Sequence, residues 1–153
     1  MDHLIFLDAN VLFSAAYRRD AALRRIWTLP EARLITSVYA AEEARRNLSN
    51  PDPRSDLEEL LGSVEIVPTA SPTDHPLLSA LELPAKDRPI LLAAISAGAT
   101  HLLTGDFRHF GAYYGKRVGG VLILPPRVLS LFECRILCSF NRVLASSMAP
   151  RWG

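Results

Sequence analysis

The chain has 153 residues, 49% hydrophobic and 22% charged, with a formal net charge of +1. These values fit one globular domain with a well-buried core and exclude a uniformly basic nucleic-acid coat, although a basic surface beside an acidic site would leave the same total. Cys134 and Cys138 are the only cysteines and Met1-Asp2-His3 lacks the basic region of a signal peptide. A reducing, cytoplasmic setting is therefore expected. The longest apolar stretch, Ile90 to Leu103, is short and interrupted by Gly98 and His101, so no membrane span is expected.

Leu4-Ile5-Phe6-Leu7 is an apolar run of the length and kind that forms a strand buried on both faces, and it ends at Asp8. Helices are expected over Asn10 to Tyr17 and Ala21 to Trp27, with Arg18, Arg19 and Asp20 as a polar junction and Leu29-Pro30 as a stop. Arg33 to Thr36 reads as a second strand. Ser37 is placed to cap a helix from Val38 to Leu48, whose end Asn50-Pro51 and Pro53 enforce. Asp56 to Leu61 reads as another helix closed by Gly62, and Val64 to Val67 as a third strand before Pro68. Ser71 to Pro76 is a polar loop leading into Leu77 to Leu83.

The second half alternates more clearly. Lys86-Asp87-Arg88-Pro89 begins a helix with acid and proline at its start, and Ile90, Leu91, Ala94 and Ile95 supply its apolar face up to Gly98. Thr100 to Thr104 is a strand that stops at Gly105-Asp106, repeating the pattern at Asp8. Gly119-Gly120 precedes a last strand, Val121 to Leu124, and Pro125-Pro126 opens a helix from Val128 to Phe132. Five strands separated by helices predict a three-layer α/β sandwich with a mostly parallel sheet in the order 3-2-1-4-5. The expected division is a domain over 1–132 and a partly helical or disordered tail over 133–153. Cys134 and Cys138 in that tail have no histidine or third cysteine near them and read as free thiols.

In that strand order the boundary between strands one and four is a switch point with a crevice at the carboxyl ends of the strands. Asp8 and Asp106 flank it. Asp87 and Glu43 reach it if their helices lean over it. Two carboxylates about 5 Å apart repel by about 3 kcal/mol at an effective dielectric of 20, so four of them together demand a cation. Oxygen ligands select a hard ion, Mg²⁺ or Mn²⁺, and such an ion suits phosphodiester hydrolysis. Each residue also has a plainer reading: Asp8 and Asp106 as helix caps, Asp87 as a first-turn acid, and Glu42 and Glu43 as surface partners of Arg45, Arg46 or Arg25.

Four segments in this order resemble the PIN-domain family, and within it the VapC-like toxin ribonucleases of bacterial toxin-antitoxin pairs. They are Phe6-Leu7-Asp8-Ala9-Asn10-Val11-Leu12, Thr36-Ser37-Val38-Tyr39 with Glu42 to Leu48, Ala85-Lys86-Asp87-Arg88-Pro89-Ile90-Leu91, and Leu102-Leu103-Thr104-Gly105-Asp106. The resemblance covers about Leu4 to Phe132. It implies an endoribonuclease acting on single-stranded RNA with Mg²⁺ or Mn²⁺ held by Asp8, Glu43, Asp87 and Asp106, Glu43 being preferred over Glu42. It further implies a cognate antitoxin, a homodimer, and orienting roles for Asn10 and Thr104. Arg108 and His109 are candidate contacts to RNA phosphate or simply an exposed loop pair. Many relatives carry another acid shortly after the Asp106 position, and Phe107-Arg108-His109-Phe110 supplies none. Two rivals remain: a phosphatase with Asp8 as nucleophile, which usually has a second Asp where Asn10 stands, and a catalytically silent RNA- or protein-binding module.

Overall fold

The first apolar run becomes the central strand of the sheet. The computed structural model describes residues 3–19, 22–69 and 75–127. Among these residues the strands are β1 (His3–Leu7), β2 (Ala32–Ser37), β3 (Glu65–Val67), β4 (His101–Leu103), β5 (Arg117–Val118) and β6 (Val121–Leu124). They lie side by side in the order β3-β2-β1-β4-β6-β5. Neighbours pair in parallel except β5, which runs antiparallel to β6.

The expected order therefore holds for the five parallel strands, with β6 as the fifth, and the sheet gains one strand. Arg117-Val118 turns back on β6 through Gly119 and Gly120, whose φ angles of 58° and 85° suit a tight two-residue hairpin. β1 is central because Ile5, Phe6 and Leu7 are apolar on both faces, each at most 1% exposed. Ile35, Leu102 and Leu103 on the flanking strands, and Ile123 one strand further out, are buried to the same degree. Connections from β1 to β2 and from β3 across to β4 run in opposite directions, so right-handed crossovers carry their helices to opposite faces.

The helices are α1 (Ala9–Tyr17), α2 (Val38–Asn47), α3 (Pro51–Leu61), α4 (Pro76–Ser79), α5 (Arg88–Ser96) and α6 (Phe107–Phe110). Ser37 caps α2 as expected, its hydroxyl accepting from the Ala40 amide at 3.1 Å. Two expectations are corrected. Pro51 and Pro53 do not stand between helices but occupy the first turn of α3, where a missing N–H costs no intrahelical bond. The segment expected as a helix over Ala21 to Trp27 is a 3-10 helix, Ala22–Thr28. α5 buries more than one stripe: Ile90 to Ala94 are all buried, and Ile95 is only partly so.

Among the described residues no helix is long and apolar enough to cross a membrane. Asp20, most of the Ser71 to Pro76 loop, the helix expected over Val128 to Phe132, and the tail with Cys134 and Cys138 lie outside the described residues.

Candidate active site

Register brings the first acid to its neighbours. Leu7 of β1 lies beside Leu103 of β4, and the next step of the ladder runs from the Asp8 amide to the Leu103 carbonyl at 3.1 Å. Asp8 and Thr104 thus leave the sheet side by side. The Thr104 hydroxyl donates to Asp8 Oδ2 at 2.7 Å, and the Asn10 amide donates to the same oxygen at 3.2 Å. Asp8 Oδ1 accepts from the Ala9 amide at 2.7 Å, so the residue caps α1 while its other oxygen is held by side chains. Asn10 is tied down at its far end by the Gly105 amide, which donates to Asn10 Oδ1 at 2.6 Å. A Cβ on Gly105 would stand 3.1 Å from that oxygen, so a side chain there would crowd the clasp.

Three more elements complete a cleft of about 280 Å³, lined by Asp8, Glu43, Asp87 and Asp106 with Asn10, Asn47, Lys86 and Phe13. Glu43 comes from α2, whose buried Ala40, Ala41 and Ala44 let the helix lie close to its neighbours. Glu42 is turned elsewhere: it accepts from Arg45 at 2.7 Å on the exposed side. Asp87 stands at the N-cap position of α5 without capping it. Asp106 does cap α6, accepting from the His109 amide at 3.2 Å. For Asp8 and Asp106 the cap and the cleft position coexist.

The four predicted carboxylates line one cleft, but the tightest grouping differs from the expected one. Ligand atoms of Asp87, Asp106 and His109 all lie within 4.8 Å of one another. The sequence offers His109, with Arg108, as a contact to RNA phosphate or as half of an exposed loop pair. Arg108 is exposed, whereas the His109 side chain is only 22% exposed and its Nδ1 lies 2.7 Å from Asp106 Oδ2 and 3.0 Å from Asp87 Oδ2. One turn of α6 explains this: residues three apart share a helix face, so His109 sits over the residue that caps the helix. That i to i+3 spacing was readable from the sequence. Lys86, Asn47 and Phe13 were not singled out as site residues.

Electrostatics reflect the crowding. Burial pushes the Asp8 carboxyl up to about 6, with Glu43 and Asp87 adding to the shift and the Thr104 and Ala9 hydrogen bonds opposing it. Asp87 is also raised, first by burial and then by Asp106 and Glu43, against the pull of His109 and Lys86. Asp87 Oδ2 is buried with no hydrogen bond. His109 Nδ1 is close to it, but that contact is not aligned as a hydrogen bond, and the imidazole nitrogen is engaged with Asp106. Oxygen donors raised in energy by burial and mutual repulsion, one of them orphaned, are the residues a divalent cation fits.

Comparison with known proteins gives the same picture of the fold. A family model described as PIN domain matches residues 5–116. Among solved structures, the chain is similar to one in VapBC2 from Rickettsia felis bound to a DNA fragment from their promoter, with a TM-score of 0.58 and 14% identity over 80% of this chain and 98% of that one. It is similar to a chain of DNA-bound VapBC from Salmonella typhimurium, with a TM-score of 0.59 and 16% identity over 82% and 99% of the two chains. VapBC-1 from nontypeable Haemophilus influenzae gives 0.53 and 17%, over 80% and 98%. Comparison with curated protein sequences found no match.

Proposed function

The chain belongs to the PIN domain family, and from that premise we propose that it is a metal-dependent endoribonuclease that hydrolyses phosphodiester bonds in single-stranded RNA. The observation that carries the reading is the convergence of Asp8, Glu43, Asp87 and Asp106, from four separate segments, on one cleft at the carboxyl ends of β1 and β4. Likeness of fold to VapBC chains supports a physiological role as the toxin of a toxin-antitoxin pair, with an antitoxin protein as partner; a homodimer as the working form follows from the family resemblance alone. The RNA substrate and the low cysteine content fit action in the cytoplasm.

Asp8, Asp87, Asp106 and Glu43 would hold Mg²⁺ or Mn²⁺, and the ion when bound supplies positive charge and Lewis acidity toward a phosphodiester. Asn10 and Thr104 keep Asp8 in one rotamer, with its Oδ2 shared between them. Exposed Lys86 in the cleft lining gives the acids a neighbouring positive charge that attracts a phosphate backbone. The crowded acids disfavour a polyanion by themselves, so substrate entry depends on the cation.

The test is cleavage of an end-labelled, unstructured RNA by purified protein, with Mg²⁺ or Mn²⁺ and with chelator. Cleavage is expected only with the ion, and Asp8→Asn and Asp106→Asn are each expected to lower it by at least about 10²-fold, the scale of losing a preorganised electrostatic group. Folded variants that cut as well as the unaltered protein refute the reading and favour a silent binding module. An aspartyl-phosphate trapped on Asp8 favours a phosphatase.

A further inference from the structure

We propose that His109 Nδ1 is itself a ligand of the divalent ion, so that the centre is a mixed oxygen and nitrogen site that prefers Mn²⁺ to Mg²⁺. The inference deepens the metal-centred reading above and rests on it. Its geometry is that Asp87, Asp106 and His109 offer three donor atoms within 4.8 Å of one another, the spacing that ligands around a single cation require. A second observation points the same way: Asp87 is 7% exposed, and its Oδ2, 3.0 Å from His109 Nδ1, is buried without a hydrogen bond. A buried carboxylate oxygen left in that state costs free energy that a cation placed between it and the imidazole removes.

No acid follows Asp106 within the next four residues, and the donor atom that the same helical turn brings to the cluster is the His109 imidazole. Neutral imidazole adds no negative charge to the site and supplies a borderline nitrogen, a donor that suits first-row transition ions better than Mg²⁺. Ligation needs the lone pair of Nδ1, which the tautomer protonated on Nε2 presents; the contact to Asp106 is then replaced by a shared ion. Asp106 and His109 stay three residues apart on α6, so neither has to move far to meet one cation.

Electron spin echo modulation of the Mn²⁺-loaded full chain tests this directly. Modulation from one coordinated imidazole nitrogen is expected, changing to the ¹⁵N pattern when the protein is labelled with ¹⁵N-histidine and vanishing in His109→Gln. Calorimetric titration should show Mn²⁺ affinity falling by about 10- to 100-fold in that variant, with a much smaller change for Mg²⁺. Mn²⁺ bound to the unaltered protein without nitrogen modulation, or with modulation that survives His109→Gln, overturns the inference while leaving a carboxylate metal site standing. Failure of the unaltered protein to bind either ion overturns both. The isotope experiment needs no variant, so a His109→Gln protein that fails to fold does not remove the test.

Discussion

The Thr104 hydroxyl donates to Asp8 Oδ2 at 2.7 Å, joining two residues 96 positions apart at the ends of adjacent parallel strands. The same hydroxyl oxygen accepts from the Asp106 amide at 3.2 Å, so one side chain sets the position of two of the acids. Thr104 is fully buried and its carbonyl is held by Tyr114 Oη at 2.7 Å. Thr104→Val keeps the shape and removes the donor. The Asp8 carboxyl, already near 6, should then titrate higher still. Its side-chain carbon shift, followed by NMR against pH in chelator, reads that displacement, and Mn²⁺ affinity should fall by about tenfold or more, the scale seen when a ligand loses its supporting hydrogen bond. An unchanged titration would mean that the Asn10 and Ala9 hydrogen bonds hold Asp8 without Thr104.

Much of this arrangement was legible in the sequence because the relevant signals are local. The run Ile5 to Leu7 is apolar at every position, as a strand covered on both faces must be, and Asp8 follows it at once, while Asp106 stands two residues, Thr104 and Gly105, beyond the end of β4. Ser37 marks a helix start by capping and Pro89 by its place in the first turn of α5, chemistry that needs no partner from elsewhere. What was misread depends on context beyond the window. Pro51 and Pro53 serve equally as a stop or a first turn, and no signal within the segment decides between them; Asn50 stands at the N-cap position without a side-chain capping bond. The two-residue β5 is too short for any apolar pattern, although the Gly119-Gly120 pair before an apolar strand is a hairpin signal. The position of His109 in the cluster is hard to read because a helix of four residues, Phe107–Phe110, has no periodicity.

That glycine pair gives a stability prediction that separates backbone strain from packing. Both residues have positive φ, but a Cβ on Gly119 would lie 2.7 Å from Ile95 Cδ1 and 3.1 Å from Leu77 Cδ1, whereas a Cβ on Gly120 meets nothing within 4 Å. Gly120→Ala should cost about 1–2 kcal/mol, the price of the left-handed conformation alone. Gly119→Ala should cost a further 1–3 kcal/mol or so for overpacking. Urea denaturation of the two variants measures both; equal losses would show that Ile95 and Leu77 yield freely.

A charge cluster away from the cleft fastens α1 to α3. Asp56 on α3 accepts from Arg19 Nε at 2.8 Å and from Arg24 Nη2 at 3.1 Å, and Arg24 Nε also donates to the Ala15 carbonyl near the end of α1 at 2.6 Å. The two arginines are not equivalent: their side chains are 70% and 25% exposed. An exposed arginine pays ordering entropy and is screened, while Arg24 satisfies a helix-terminal carbonyl that has no intrahelical partner. Arg24→Met should therefore lower Tm clearly and Arg19→Met hardly at all. Depression of the Asp56 carboxyl, caused first by Arg19 and then by Arg24, means that whatever stability the cluster gives is present at neutral pH and lost as acid protonates Asp56.

Two buried groups should hide each other in the pH dependence of the ion-free protein. His101 on β4 is 1% exposed; its Nδ1 lies 2.8 Å from Thr100 Oγ1 and its Nε2 is unpartnered. Burial, with His3 and Arg117 adding, lowers it to about 4 from the ordinary 6.5. As pH falls below 6.5 the unfolded chain takes up a proton that the native chain refuses until about 4, so His101 removes stability on acidification, by about 3 kcal/mol over that window. Asp8 does the opposite. Its native carboxyl binds a proton near 6 and the unfolded one only near 3.8, so the native state takes up the proton first and Asp8 adds about 3 kcal/mol as pH falls from 7 to 4. The windows nearly coincide and the two contributions offset. Urea denaturation in chelator from pH 4 to 7.5 should show each when the other is removed: Asp8→Asn becomes steeply less stable toward acid, and His101→Leu becomes more stable toward acid. At pH 7.5 Asp8→Asn should exceed the unaltered protein in ion-free stability, because the buried charge is gone while Oδ1 still accepts from the Ala9 amide. Saturating Mn²⁺ should reverse that ranking, since only the carboxylate repays its burial by binding the ion. If the ranking does not reverse, the ion does not touch Asp8.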